Sequence, residues 1–295
     1  MLRIGAHMSV AGGMARAVDR AVLHACEALQ VFTRNPNRWQ ARPLDPGDVR
    51  AFRLGVDRTG IGPAVSHASY LINLGTTSPP LREASIRALA DELDRAHALG
   101  LLGVVLHPGA CTSGGEADAL RLVAQGIRAA LGRRPRRPTL VLVEHTAGQG
   151  RTLGHTFEHL GSILAHLDGS PRVGVCLDTC HLLASGYDIV SPAGYARTFA
   201  ACERLVGLDR VKVFHANDSK KPLGSRVDRH EHIGEGCLGE APFRRLLHDR
   251  RFAGLPLLIE TAKSPTHQRP GSLMRDPLDD RNLATLRRLR AQAGA

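Results

Sequence analysis

At 295 residues, 43% hydrophobic and 23% charged, the chain can bury a full core without staples, and 1–295 is expected to be a single domain. Its six cysteines are scattered, which excludes a small disulfide scaffold and predicts plain reduced thiols. A formal charge of +11, from 39 Lys and Arg against 28 Asp and Glu, fits a polyanionic partner as readily as a solvated arginine-rich surface.

The start, MLRIGAHMSVAGG, has no apolar h-region and no small-residue cleavage site, so no signal peptide is expected. No span reaches the roughly 18 consecutive apolar residues of a membrane helix. The expectation is a cytoplasmic protein without a membrane partner. Strand-length apolar runs then recur in order: Leu2 to Ala6, Ala28 to Thr33, Gly62 to Ser66, Leu101 to Leu106, Thr139 to Val143, Val173 to Leu177, Val211 to Phe214 and Leu255 to Ile259. Stretches such as VVL, LVLV and LPLLI have no polar interruption, the mark of strands buried on both faces.

Between these runs, REASIRALADELDRAHALG and GEADALRLVAQGIRAALG space apolar residues by three and four and close on glycine, as helices do. Eight strand and helix alternations predict an α/β fold of the (β/α)8 TIM-barrel type. An open doubly wound sheet fits less well, because Gly12 and Gly13 lack the GxGxxG spacing and an acidic residue closing a second strand. The segment GRRPRRPT, Gly132 to Thr139, precedes the fifth strand and reads as a solvated loop on the face opposite the chemistry-bearing strand ends. The tail from Thr266 is polar, and RNLATLRRLRAQ reads as a basic closing helix of the outer ring.

The third to eighth strands each end in a metal-capable residue: His67 in VSHASYLINL, His107 in VVLHPGA, Glu144 in LVEHTAGQG, Asp178 in VCLDTCH, His215 in VFHANDSK and Glu260 in LLIETAK. The C-terminal strand ends of a barrel converge on one face. A lone histidine is more often a hydrogen-bonded core residue, but six such residues in register point to a metal site. His181 follows Asp178 by three residues, and GSRVDRHEHIGEG offers Asp228 and His230 two apart on an extended loop, facing the same way. Nine ligands exceed the four of a single zinc and imply more than one ion. Histidine with carboxylate suits zinc best, with manganese or iron as alternatives, and fits an all-oxygen magnesium site poorly. Clustered ions suit in-line hydrolysis of a phosphodiester.

With these residues in view, the chain resembles the bacterial deoxyribonuclease IV (endonuclease IV) family, the apurinic/apyrimidinic endonucleases of base excision repair. The motifs GAHMSVAGG, FTRNPNRW, HASYLINLG, EHTAGQG, VCLDTCHLLASGYD, HANDSKKPLGSRVDRHEHIGEG and IETAK run in order over essentially the full length. The resemblance implies a monomeric barrel with three zinc ions, manganese being an alternative at one site. His67 and His107 would hold the first ion, with Glu144 bridging it to a second completed by Asp178, His215 and Glu260. His181, Asp228 and His230 would hold the third. Glu144, Asp178 and Glu260 are thus the implied catalytic carboxylates.

The implied reaction cuts duplex DNA on the 5′ side of an abasic site, leaving a 3′-hydroxyl and a 5′-deoxyribose phosphate, and also clears blocked 3′ ends. Extrusion of the sugar from a bent duplex costs least where the base is already missing. Tyr70, in HASYLINL, is similar to the family tyrosine that enters the helix beside the lesion. Asn35, His7 and Ser9 would meet the DNA backbone, and Lys220, Arg226 and Arg229 would pair with phosphates.

The sequence departs from the family pattern in three places. His145 stands where an asparagine follows the bridging glutamate, so a different hydrogen bond beside the metals is expected. Asn37 occupies the place of an arginine found in some members, and Arg38 follows it, which moves a cationic wedge by one residue. ETAK replaces ETP after Glu260. Two other classes compete: a divalent-metal sugar isomerase on the same type of barrel, which gathers fewer ions, and a non-catalytic DNA-binding protein, whose polar groups have no need to converge.

Overall fold

The computed structural model describes residues 1–133, 138–265 and 273–292. Its strands are β1 (Arg3–His7), β2 (Ala28–Phe32), β3 (Ala64–His67), β4 (Gly103–Leu106), β5 (Leu140–Glu144), β6 (Val173–Asp178), β7 (Val211–His215), β8 (Asp218–Ser219), β9 (His230–Glu231) and β10 (Pro256–Ile259). The first seven and β10 close into a barrel of parallel strands, and β8 with β9 makes a separate antiparallel ribbon. Closure joins the ends of the chain: β1 pairs with β10 from Arg3 opposite Pro256 to Ala6 opposite Ile259. The expected (β/α)8 architecture is therefore the fold.

The strands carry apolar residues on both faces because both faces are covered. Ala28, Val65, Val105, Leu142, Cys176, Val213 and Leu258 fill the barrel interior, a packed plug on which polar groups at the mouth can sit. The outer core lies between strands and the ring of helices α1 (Ala15–Leu23), α2 (Pro46–Thr59), α3 (Pro79–Leu99), α4 (Glu116–Gly132), α5 (Phe157–His166), α6 (Thr179–Ser185), α7 (Pro192–Leu205), α8 (Ala241–His248) and α9 (Pro277–Ala291). Local signals set the helix ends. Asp45 accepts from the Asp48 N–H ahead of α2, and Gly100 stops α3 at φ +74, a conformation that favours glycine. The basic segment near the end is indeed an outer-ring helix: α9 buries Leu283, Leu286 and Leu289, and Arg290 pairs with Glu27 at 2.7 Å.

The expected strand ends shift at the mouth. β1, β3, β5, β6 and β7 each run one residue further than their apolar run, taking in His7, His67, Glu144, Asp178 and His215. Strand pairing continues through a polar ligand, whereas an apolar pattern stops before it. Two elements differ from expectation: α6 follows β6 directly, and His230 sits in a short strand rather than an extended loop. Of the arginine-proline loop, residues 134–137 lie outside the described residues, as do 266–272 of the polar tail. Among the described residues no helix is long and apolar enough to cross a membrane.

Candidate metal centre

Four strands end on a ligand, His67, Glu144, Asp178 and His215, while His107 and Glu260 follow β4 and β10 by one residue. Parallel register brings all six to one mouth. α6 returns His181 to the same place, because the Asp178 carboxylate caps the helix by accepting the His181 N–H at 3.0 Å. The ribbon, with the loop that joins its two strands, delivers Asp228 and His230.

The donor atoms then stand in groups. The two oxygens of Glu144 divide between neighbours. Oε2 lies 3.1 Å from His67 Nε2 and 3.0 Å from His107 Nε2, whereas Oε1 lies 2.9 Å from His215 Nδ1. His215 Nδ1 is also 3.2 Å from Glu260 and 3.9 Å from Asp178. Asp228 reaches His181 Nε2 at 3.2 Å and His230 Nε2 at 3.3 Å, and His230 Nε2 is 3.6 Å from Asp178. Two donors about 2.0–2.1 Å from one tetrahedral zinc stand about 3.3 Å apart, and most of these separations are close to that spacing.

Two further observations fit metal. His181 Nε2 and His230 Nε2 are buried and make no well-aligned hydrogen bond among the described residues, their nearest partners being the Asp228 oxygens, an arrangement that a shared cation completes. Several rings are also anchored through the other nitrogen: His67 Nδ1 bonds the Ala68 carbonyl at 2.9 Å and His181 Nδ1 the His145 carbonyl at 2.8 Å. Such outer bonds select the ligating nitrogen.

The electrostatics point the same way. Burial would lower His181, but the Asp178, Asp228 and Glu144 carboxylates outweigh it and push it up to about 10. Burial would raise Asp228, yet His181, His230 and His107 hold it down to about 2. Glu144, fully buried, is held well below the carboxylate range by His215 and His107. Anionic oxygens packed this closely are neutralised either by protonating their imidazoles or by divalent cations that displace those protons.

Supporting residues escaped the sequence reading. Gln30, in the middle of β2, accepts from His215 Nε2–H through Oε1 at 2.9 Å and donates to Glu260, leaving His215 Nδ1 for the centre. Asn217 donates to Asp178 at 2.6 Å and accepts the Glu260 N–H at 2.9 Å, tying two ligands together. Gln149 accepts the Asp228 N–H at 3.1 Å. The buried Asp218 carboxylate gathers the N–H groups of Ser219, Gly234, Gly236 and Leu238 at 2.7–3.0 Å and so folds the segment beyond the ribbon. Gln30 alone gave a signal, as the one polar residue of β2.

Cys176 lies beside Glu144 and His215, and Cys180 beside Asp228 and His230. Burial pushes the Cys176 thiol up to about 12 and Cys180 higher still, which disfavours the thiolate a metal needs. All six cysteines are free, as expected.

His145 corrects an expectation. Its ring turns from the ligand cluster to lie 5.4 Å from Phe157 and 5.4 Å from Tyr187, and neither ring nitrogen has a hydrogen-bond partner among the described residues. Burial, with His181 and His155 nearby, lowers it to about 3, so the ring is a neutral packing group. The new hydrogen bond expected beside the metals is not made; only the backbone carbonyl serves the centre.

Of the expected DNA contacts, Tyr70 is 61% exposed at the mouth, its ring 5.9 Å from His67. Ser9, Asn35, Arg38, Lys220, Arg226 and Arg229 are wholly or partly exposed. Asn35 caps its own turn by accepting the Asn37 N–H at 2.9 Å, and Lys220 lies 3.9 Å from Glu231. His7 lines the mouth itself, 3.0 Å from Gln30 and 3.7 Å from Glu260. The mouth opens as a cleft of about 290 Å³ that shares His7, Phe32, Tyr70 and Lys263 with a groove of about 950 Å³ running past Ser9 and Asn35.

Comparison with known proteins agrees with this fold. Residues 18–289 match the family model described as xylose isomerase-like TIM barrel. The probable endonuclease 4 of Chloroflexus aurantiacus is 48% identical over 290 residues, 98% of each chain. That of Geobacter sulfurreducens is 43% identical over 97% of this chain and 94% of its own. The crystal structure of endonuclease IV from Thermus thermophilus superposes with a TM-score of 0.85 at 39% identity, covering 99% of this chain and 100% of that one. A D-psicose 3-epimerase reaches a TM-score of 0.69 at 14% identity over the full length of both chains, which is a likeness of fold alone. The chain belongs to the endonuclease IV family of TIM-barrel apurinic/apyrimidinic endonucleases.

Proposed function

We propose that this chain, a monomer of one domain, incises duplex DNA on the 5′ side of an abasic site with three zinc ions held by nine residues. The protein is a divalent-metal apurinic/apyrimidinic endonuclease, a phosphodiester hydrolase of DNA repair. The observation that carries the finer reading is the division of Glu144 between His67 with His107 on one oxygen and His215 on the other. A carboxylate so placed would hold two ions, the first with His67 and His107, the second with Asp178, His215 and Glu260. His181, Asp228 and His230 hold the third, where manganese is the alternative.

Bound there, the ions supply water activated near neutral pH and positive charge for the phosphoryl and leaving oxygens. The chain's own residues do the rest. Gln30, Asn217 and the Ala68 and His145 carbonyls orient the ligands before substrate arrives. Tyr70 enters the duplex beside the lesion and excludes water from the mouth. Arg38, Lys220, Arg226 and Arg229 meet phosphates and position the duplex without reading its sequence, with Ser9 and Asn35 along the groove. The product is a 3′-hydroxyl and a 5′-deoxyribose phosphate, and the same centre clears blocked 3′ ends.

The test is cleavage of a labelled duplex carrying one abasic-site analogue by wild type and Glu144→Gln, with metal content measured on both. A single cut 5′ to the lesion, lost together with bound metal in the variant, is expected. An intact duplex with fully metal-loaded wild type overturns the reading.

A further inference from the structure

Outside this centre, Glu116, His155 and His159 offer three donor atoms that lie within 4.8 Å of one another. We propose that they form an additional metal site, for one zinc or a similar borderline divalent ion, that pins the loop after β5 to the start of α4. The donor set is the mixed imidazole and carboxylate type that zinc prefers.

The three come from different elements. Glu116 is the first residue of α4, His155 precedes Thr156, the cap of α5, and His159 lies in the first turn of α5. His155 and His159 are nearly buried, with ring centroids 4.6 Å apart. His155 Nδ1 donates to the Thr152 carbonyl at 2.9 Å, so its Nε2 carries the lone pair, the arrangement of an anchored ligand. His159 Nε2 stands 3.5 Å from Glu116 Oε2, close to the edge of about 3.3 Å for two donors on one tetrahedral zinc. Gly148, at φ +78, brings the loop against His155, where an added Cβ would sit 3.0 Å from the His155 Cβ.

The site is weaker than the main centre for a definite reason. His159 Nδ1 accepts the Gly154 N–H at 3.3 Å. Ligation through Nε2 moves the ring proton to Nδ1 and gives up that contact. Three protein donors also leave a coordination position to water. The ion therefore binds more weakly than those of the main centre and leaves first.

Its effect is structural. The loop it pins begins just after Glu144 and carries Gln149, whose side chain holds the Asp228 N–H. Binding at the far end steadies that support without touching the reacting groups. The inference is independent of the reading of the main centre, because the two sites share no ligand.

The experiment titrates full-length wild type, His155→Gln and Glu116→Gln with zinc in a calibrated chelator buffer, then measures zinc per chain and melting temperature. Wild type is expected to take up one zinc more than either variant at micromolar free zinc and to gain melting temperature over that range, while both variants incise abasic duplex within about twofold of wild type. Glu144→Gln is expected to keep this last zinc while losing others. Because Glu116 is exposed, Glu116→Gln remains folded and decisive if His155→Gln does not. Equal zinc uptake by wild type and folded variants throughout the titration overturns the site.

Discussion

The carbonyl oxygen of Pro36 accepts the backbone N–H of Tyr70 at 3.1 Å. The Ser69 hydroxyl donates to the same oxygen at 2.5 Å, so the loops after β2 and β3 move as one piece. Two buried arginines hold that piece from below. Arg95 donates to the Thr33 carbonyl at 2.6 and 3.1 Å and to the Arg42 carbonyl at 2.9 Å, and Arg34 donates to the Arg38 carbonyl at 2.8 Å.

A preformed loop pair spares the ordering entropy that binding otherwise costs, about 1–2 kcal/mol per backbone residue. Arg95→Gln is therefore expected to raise KM for abasic duplex about tenfold with kcat near wild type, and Ser69→Ala to do so more mildly. Steady-state kinetics checks this. A fall in kcat at unchanged KM would show that these bonds serve the chemistry instead.

Gln30 makes the next case. Gln30→Leu removes the acceptor that fixes the His215 ring and the donor to Glu260. Loss of such an outer bond typically costs roughly 10–100-fold in metal affinity. The variant should lose zinc to a chelator sooner than wild type and recover incision when zinc is added back. Chelator resistance equal to wild type excludes the orienting role.

Asp218→Ala strands the four N–H groups that the carboxylate gathers, at about 1–3 kcal/mol for each left buried and unpaired. Denaturant unfolding should show a loss of at least about 3 kcal/mol, and zinc content should fall through misplacement of His230. Asp218→Asn keeps one acceptor oxygen and is expected to lie between. Wild-type stability in Asp218→Ala is incompatible with this account.

Glu92 gives a pH signature far from the metals. Burial pushes its carboxyl up to about 7, against the pull of Thr33, Arg34 and Arg95 and with Asp91 adding to the rise. The unfolded value is about 4.3. A carboxyl raised on folding contributes fully below its unfolded pKa, and the contribution is lost as pH rises through the folded one. Wild type should thus lose stability relative to Glu92→Gln between about pH 5 and pH 8, by up to about 3 kcal/mol. Denaturation of both proteins at the two ends of that range decides it, and a constant difference counts against a neutral Glu92.

How much of this was legible depended on contrast. A ligand at a strand end ends an apolar run abruptly, so His67, His107, Glu144, Asp178, His215 and Glu260 stood out, and with them the barrel. His181, Asp228 and His230 needed short spacings, because α6 and the ribbon are too short for periodicity to register. Asn217 and Gln149 sit in polar loops where one more amide carries no signal, and Asp218 works by collecting backbone groups, which no side-chain pattern reports. For His145 the family comparison suggested a polar role, but ring packing against Phe157 and Tyr187 prevailed.

The donors of the main centre run from His67 to Glu260 and come from the ends of six barrel strands and two further segments. No shorter stretch of chain holds a complete set, since Glu144 needs partners on both sides of it in sequence. A nascent or proteolysed chain is consequently unarmed: it holds neighbours such as Asp228 and His230, yet it cannot assemble the donor cluster around Glu144. Cutting competence arrives only with barrel closure, which makes completed folding the safety catch on an enzyme whose product is a broken DNA strand.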